Sequence, residues 1–283
     1  MTIAAAFLTG PAWSIKSSAP TDSTTSTTES LVNSTPTVVP TPSSDSPAES
    51  TPTATPAGQT VPVPILMYHY IRPDPGHGDP IGRDLSVTPE QFAEQTKYLA
   101  DHHFTTMTMA ELADVRAGRL ALPANPIILT FDDGYQDFYT HAWPLLREHG
   151  FKATSFIVTA VVGQPPYVTW EMIDEMQQSG LIEFGSHTVT HKELPYLSDG
   201  QAKQEIEQSK QPLEEHLGHP VRSFSYPVGR FSDRDVEFVR SAGYEIAVTT
   251  MGGHAKSDQD PLRLPRVRIH GATTLSQFGA MLE

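Results

Sequence analysis

Pro126-Ile127-Ile128-Leu129-Thr130-Phe131-Asp132-Asp133-Gly134-Tyr135 joins a short apolar run to two adjacent carboxylates and a glycine. A run of this length, rich in β-branched residues and closed by a turn signal, reads as a buried strand over Ile127–Phe131. The two acids then stand at its carboxyl end, where burial penalises their charge unless a cation or a hydrogen-bond donor compensates it. Asp-Asp-Gly is also a common turn, so this stretch alone locates a strand end without fixing a chemistry.

Similar runs lie on both sides of it: Val63–Ile71, Phe104–Met109, Ala153–Thr159, Ile182–Gly185, Ser223–Tyr226, Ile246–Thr250 and Val267–Ile269. Helical patterns fall between most of them. Thr88-Pro89-Glu90-Gln91 reads as an N-cap, a proline at the first helical position and a capping-box glutamine, with Phe92 and Leu99 on one face. Ala202, Ile206, Leu213 and Leu217 form another stripe that Gly218 ends and Pro212 should kink. Alternating strands and helices predict an α/β fold with a parallel sheet, and their number predicts a distorted β/α barrel of seven or eight strands. No internal repeat is found.

The first 61 residues differ in composition from the rest. From Ser17 to Thr60 the chain is mostly Ser, Thr, Pro and Ala, which cannot bury enough surface to fold and predicts a disordered stalk. Ile3–Leu8 is apolar but too short to span a bilayer, and it suits the remnant of a signal sequence. The expected division is therefore 1–61 as signal remnant and linker and 62–283 as one folded domain. Of the net charge of −14, residues 1–61 carry −3 and the rest −11, which argues against nucleic acid or an anionic membrane as partner. The absence of cysteine excludes disulfides, thiolate nucleophiles and Cys-ligated zinc.

Two further polar clusters fall at predicted strand ends, the face that carries active sites in a β/α barrel. In Gly185-Ser186-His187-Thr188-Val189-Thr190-His191 the two histidines lie four apart, but Thr-Val-Thr is a poor helix former. A straight strand would separate them by ~13 Å, whereas zinc needs both nitrogens within ~2.1 Å of itself. A shared metal thus requires a sharp turn after His187; two unrelated surface histidines are the bland reading. An Asp/His/His set leaves coordination positions open, as catalytic sites do, although non-haem iron oxygenases use the same ligand types. In Phe224-Ser225-Tyr226-Pro227-Val228-Gly229, Pro and Gly bend the chain and can aim a main-chain N–H into a cavity.

In this order the three motifs resemble the NodB-type polysaccharide deacetylases, carbohydrate esterase family four, over the chain from about Val61 onward. Thr130–Gly134 matches the family's first motif and His187–His191 its second. The resemblance implies that Asp133, His187 and His191 bind a metal, usually Zn2+, with Co2+, Ni2+ or Mn2+ as alternatives. It implies that Asp132 is the general base and that the Val228 N–H stabilises the oxyanion. The family's third-motif arginine is replaced here by Ser225, and Arg266 of the last predicted strand is the candidate substitute. The fourth motif is missing, and Ile269-His270 only echoes the fifth.

The opening Ile65-Leu66-Met67-Tyr68-His69-Tyr70 instead is similar to the subgroup that deacetylates biofilm poly-N-acetylglucosamine, in which a Tyr-His on the first strand supplies the general acid. His69 and His270 therefore compete for that role. Tyr68, Tyr135, Trp170 and Tyr226 are the aromatic candidates for holding sugar rings. The implied protein is a secreted or wall-associated monomer that removes N-acetyl groups from a polysaccharide: poly-N-acetylglucosamine, peptidoglycan or a chitin-type chain. The alternatives are an O-acetyl esterase on acetylated xylan and a stalk-displayed carbohydrate-binding pseudoenzyme.

A chain beginning at Val61 should retain the cooperative melting transition of the full protein, because the Ser17–Thr60 stalk has almost no apolar surface to add to a core. Loss of that transition on truncation, followed by circular dichroism, would place the boundary elsewhere.

Overall fold

The computed structural model describes residues 61–283; the apolar Ile3–Leu8 and the Ser/Thr/Pro-rich segment lie outside the described residues. The chain opens with β1 (Ile65–Tyr68), β2 (Tyr70–Ile71), α1 (Pro80–Leu85), β3 (Ser86–Val87) and α2 (Pro89–Asp101). Then come β4 (Thr105–Met107), α3 (Met109–Arg116), β5 (Pro126–Phe131) and α4 (Trp143–His149), the last entered through a π-helical turn at Phe138–Ala142. The second half alternates: β6 (Ala153–Ile157), α5 (Trp170–Gln178), β7 (Ile182–Ser186), α6 (Asp199–Leu217), β8 (Ser223–Ser225) and α7 (Asp233–Ser241). It ends with β9 (Ile246–Gly252), β10 (Leu264–Arg268) and α8 (Leu275–Ala280).

Seven strands close a parallel ring in the order β1, β10, β9, β8, β7, β6, β5, with β5 returning to pair β1. β4 is an eighth strand, pairing the first half of β5 while β6 pairs its end. The distorted barrel expected from the sequence is thus the observed architecture. A small parallel pair, β2 with β3, lies outside the ring.

Strand side chains alternate between two faces, and here each face has its own core. Ile65, Ile128, Phe156, Ile246, Val248 and Leu264 point inward and pack together. Their neighbours Leu66, Leu129, Ile157, Phe184, Phe224 and Ala247 point outward against the helices. Met109, Leu112 and Ala113 of α3 join the inner cluster and plug the end of the barrel away from the site. The inner space is tight: a Cβ on Gly185 would lie 2.4 Å from Ser223 Oγ and 2.6 Å from the Phe156 ring.

Four expected strands are shorter than predicted: Ala153–Thr159 and Ser223–Tyr226 lose two residues and one at their ends, and two others are cut further, each for a local reason. Val63–Ile71 does not run unbroken; β1 stops at Tyr68 and His69 stands in the gap before β2. Phe104–Met109 yields only Thr105–Met107, because Thr108 and Glu111 form a capping box that starts α3. The Thr88 capping box is as expected, and Phe92 and Leu99 are both buried. Pro212 lies inside α6 without ending it, and Ala202, Ile206, Leu213 and Leu217 are buried along one face up to Gly218 at φ +73°.

Gly185→Ala should cost about 1–3 kcal/mol of unfolding free energy, as overpacking does in a filled core. Urea denaturation measures it, and a wild-type midpoint would show that the inner layer can yield at this point.

Candidate active site

The inward parity that fills the barrel with Ile65, Ile128 and Leu264 also places Met67 and His69, Thr130 and Asp132, and Arg266 on the inner side toward the mouth. Arg266, 1 % exposed, crosses the interior and uses all five of its donors. Its Nε donates to the Thr249 carbonyl at 2.9 Å, and its Nη1 to Thr130 Oγ1 at 3.0 Å and Asp132 Oδ1 at 2.8 Å. Its Nη2 donates to Asp132 Oδ2 at 2.6 Å and Ser225 Oγ at 3.3 Å. The guanidinium thus grips Asp132 in a two-pronged pair while touching the residue that occupies the family arginine's slot. Burial raises the Asp132 carboxyl, but the charge and hydrogen bonds of Arg266 outweigh it and hold the group well below the usual carboxylate range.

Asp133, one residue on, turns the other way. Its backbone is left-handed, φ +74°, and Gly134 follows at +76°. This reverses the chain after the strand and aims the second carboxylate at His187 and His191. Asp133 Oδ1 lies 3.4 Å from Nε2 of each. Both distances exceed an ordinary N–H···O bond and match the ~3.4 Å edge of a tetrahedron whose corners lie ~2.1 Å from a central zinc. Burial raises the Asp133 carboxyl, and the rings facing it, His187 foremost, outweigh that and pull it below its ordinary value. Among the described residues these three form the one cluster whose donor atoms are close enough to share an ion.

The sharp turn required between the two histidines is present. Thr188 and His191 have φ of +67° and +58°, conformations that cost a β-branched threonine in particular. The segment is held by partners on other elements. His187 Nδ1 donates to the Ser225 carbonyl at 2.7 Å, leaving Nε2 as the lone-pair nitrogen facing Asp133. Thr188 Oγ1 accepts from the His191 N–H at 3.0 Å, and Glu205 of α6, 7 % exposed, takes both the Thr190 N–H and hydroxyl. Glu205 was not legible in the sequence; it sits between the stripe residues Ala202 and Ile206, and its partner lies 15 residues away.

His69 Nε2 is 3.9 Å from Asp132 Oδ2. Burial lowers its pKa, and the two aspartates oppose that shift. His270 is instead 3.0 Å from Asp84, on the far side of Ile269. Val228 lies at the mouth, half exposed and at φ +48°, with its carbonyl accepting from Thr250 Oγ1 at 3.3 Å.

Three of the four aromatic candidates are placed elsewhere. Tyr68 points outward, 1 % exposed, stacked on Phe131 and bonded to Gln95 Oε1 at 2.8 Å. Tyr226 is fully buried against Phe224 and Phe231. Trp170 begins α5, and its ring packs on His216 of α6. Parity and helix direction decide these positions, and neither follows from residue type. Tyr135 alone remains beside the site, stacked between Tyr70 and Tyr167 at 3.9 and 5.1 Å.

A triangle of three donors with one edge, His191, open to solvent can hold a divalent ion and leave positions for water and substrate. An ionised carboxylate beside it can accept a proton. Arg266→Met should lower unfolding free energy by about 3–5 kcal/mol at pH 7, because it strands a buried charge. In the wild type the depressed Asp132 pKa contributes stability above the unfolded value of ~3.9 that is lost only as pH falls through the lower folded value. In the variant desolvation is opposed only by His187 and His69 and raises that pKa, so protonation relieves the cost and the deficit should shrink between pH 7 and pH 5. Urea titrations at the two pH values check it; a deficit that widens on acidification contradicts the pairing.

The polysaccharide deacetylase family profile matches residues 120–247. Over 221 residues the chain is 34% identical to YxkH of Bacillus subtilis strain 168, itself assigned to the polysaccharide deacetylases, covering 78% of this chain and 76% of that one. It is 26% identical over 200 residues to the poly-β-1,6-N-acetyl-D-glucosamine N-deacetylase of Staphylococcus epidermidis, 66% of this chain and 69% of the other. Among solved structures, the Streptococcus pyogenes deacetylase PplD in complex with acetate superposes with a TM-score of 0.74 at 29% identity, over 80% of this chain and 100% of that one. With the barrel, the paired aspartates and the two histidines in place, this chain belongs to the polysaccharide deacetylase family.

Proposed function

We propose that the protein removes N-acetyl groups from N-acetylglucosamine units of a polysaccharide and releases acetate. The observation that carries this reading is the division of labour between adjacent carboxylates: Asp132 is locked to Arg266, while Asp133 faces two histidine nitrogens at 3.4 Å. A binding module needs neither arrangement. The donor set fits zinc, with cobalt, nickel or manganese as substitutes.

Asp133, His187 and His191 would hold the ion, which when bound polarises the acetyl carbonyl and acidifies a coordinated water. Asp132, kept ionised by Arg266, accepts the proton of the attacking water. The Val228 N–H, presented by the bend after Pro227, donates to the developing oxyanion. His69 delivers a proton to the leaving amine: burial lowers its pKa overall, which makes the protonated ring a ready donor, and the Asp132 charge 3.9 Å away opposes that shift only in part. His270, engaged with Asp84, is left out. The Tyr68-His69 pair at the end of β1 and the similarity to the Staphylococcus epidermidis enzyme favour poly-β-1,6-N-acetylglucosamine as the polymer. Such a substrate places the working domain outside the cell or at its wall, and no described helix is long and apolar enough to cross a membrane.

Acetate release is to be compared on poly-N-acetylglucosamine, peptidoglycan, chitin oligomers and acetylated xylan. Release from a glucosamine polymer supports the proposal, and release from acetylated xylan alone makes the protein an O-acetyl esterase. Asp133→Ala, His187→Ala and His191→Ala should each reduce bound metal and abolish turnover. Asp132→Asn should keep the metal and lose ~10²–10⁴-fold in rate; a metal-free Asp132→Asn protein would reverse the two assignments. His69→Ala should lose more activity on the amide than on an aryl acetate, whose leaving group departs without a proton, while His270→Ala stays near wild type on both.

A further inference from the structure

Every backbone N–H from His187 to His191 has an acceptor, and those acceptors are what hold the turn between the two histidines. His187 N–H donates to the Ile157 carbonyl of β6 at 2.9 Å, Thr188 N–H to Ser186 Oγ at 3.3 Å, and His191 N–H to Thr188 Oγ1 at 3.0 Å. The two in the middle go to a single residue. Val189 N–H donates to the Glu205 carbonyl at 3.2 Å and Thr190 N–H to Glu205 Oε2 at 2.8 Å, while the Thr190 hydroxyl donates to Oε1.

Of the side chains in this set, Glu205 alone comes from outside residues 186–191. It stands on α6 one turn before Ser209, whose hydroxyl meets Ser186 Oγ at 2.7 Å. Residues four apart share a helix face, so one face of α6 grips the segment just before His187 and again just before His191. The helix is anchored independently of the site: Ile206, Leu213 and Leu217 are buried along it, and Lys210 Nζ donates to the Ala242 carbonyl at 2.8 Å. Glu205 is therefore a fixed point against which a strained turn is held.

The two histidines depend on that grip unequally. The His187 ring is buried and tied through Nδ1 to the Ser225 carbonyl. The His191 side chain is 34 % exposed and follows a backbone at φ +58°. Conformations of this kind persist where surrounding contacts over-determine them.

We propose that Glu205 is a positioning residue for the metal site: from α6 it holds Thr190, fixes the turn, and so keeps His191 Nε2 at 3.4 Å from Asp133 Oδ1. This role rests on the reading of Asp133, His187 and His191 as metal ligands. Glu205 supplies shape rather than charge, since Lys192 Nζ lies 3.6 Å from its carboxylate.

Zinc affinity is to be measured by competition with a chromophoric chelator, for wild type, Glu205→Ala, Glu205→Gln and Thr190→Val. Glu205→Ala should bind zinc about 10–100-fold more weakly, as loss of a group behind a metal ligand does. Glu205→Gln should recover most of that loss, because its amide oxygen accepts the Thr190 N–H and its NH2 donates to the Thr190 hydroxyl. Thr190→Val, at an exposed position, removes one of the two side-chain bonds and should weaken zinc binding about threefold to tenfold. If Glu205→Ala does not fold, Thr190→Val and Glu205→Gln carry the test. In a His191→Ala background Thr190→Val should cost no further affinity, because the ligand it acts through is gone; an equal loss in both backgrounds would make the contact merely structural. Wild-type affinity in Thr190→Val, or a loss in Glu205→Gln as large as in Glu205→Ala, overturns the proposal while leaving the metal site intact. A wild type that binds no zinc defeats the metal-site reading itself and the role of Glu205 with it. Since turnover is not measured, these results hold whichever polymer is deacetylated.

Discussion

The site depends on one buried ion pair. Arg266 enters from β10, the last strand of the ring, and Asp132 leaves β5; they meet inside the barrel with every guanidinium hydrogen assigned. A lone buried carboxylate would neutralise itself by taking up a proton. With Arg266 in place Asp132 stays charged, so the same contact that stabilises the closed ring also preserves a proton acceptor at its mouth. A lysine could not reproduce it, since a point charge lacks the planar fork that spans both carboxylate oxygens.

Around this pair the interior is graded. α3 and the inner aliphatic residues fill the lower barrel, where the apolar contacts of Ile65, Ile128, Phe156 and Leu264 supply stability. Beside α3, half-buried Glu183 accepts from Thr154, Ser223 and the Ala110 N–H, so a charge at the lower end of the barrel also has its partners supplied. At the top, left-handed turns at Asp133, Thr188, His191 and Val228 concentrate backbone strain at the mouth. Such conformations persist where surrounding contacts over-determine them, and here Glu205, Ser225 and Thr250 provide those contacts. The packed base offsets the strain at the rim.

The tyrosine row extends this pattern outward. Tyr70 follows His69 directly and Tyr135 follows Asp133 by two residues, so the stacked tyrosines are fixed by the strand ends. The loop at Pro166–Val168 holds them: the Pro166 carbonyl accepts from Gln136 N–H, and Val168 N–H donates to the Gly134 carbonyl. The turns that position His69 and Asp133 thus also position these rings.

The sequence by itself determined the strands, the barrel and the three polar clusters, because β-branched runs, capping boxes and Gly or Pro turns are local signals. It also showed that the chain had to turn between His187 and His191, since the distance along a straight strand forbids a shared ion. Tertiary structure alone decided what those local signals leave open. Tyr68 and Tyr226 are as aromatic as Tyr135, yet they face the helices, because a side chain's face is set by strand register and a one-residue change of parity inverts it. The pairing of Asp132 with Arg266 spans 134 residues, and His69 rather than His270 adjoins the site because β1 pairs β5 directly while His270 turns to Asp84. These are contacts between remote segments, and they exist only once the ring has closed.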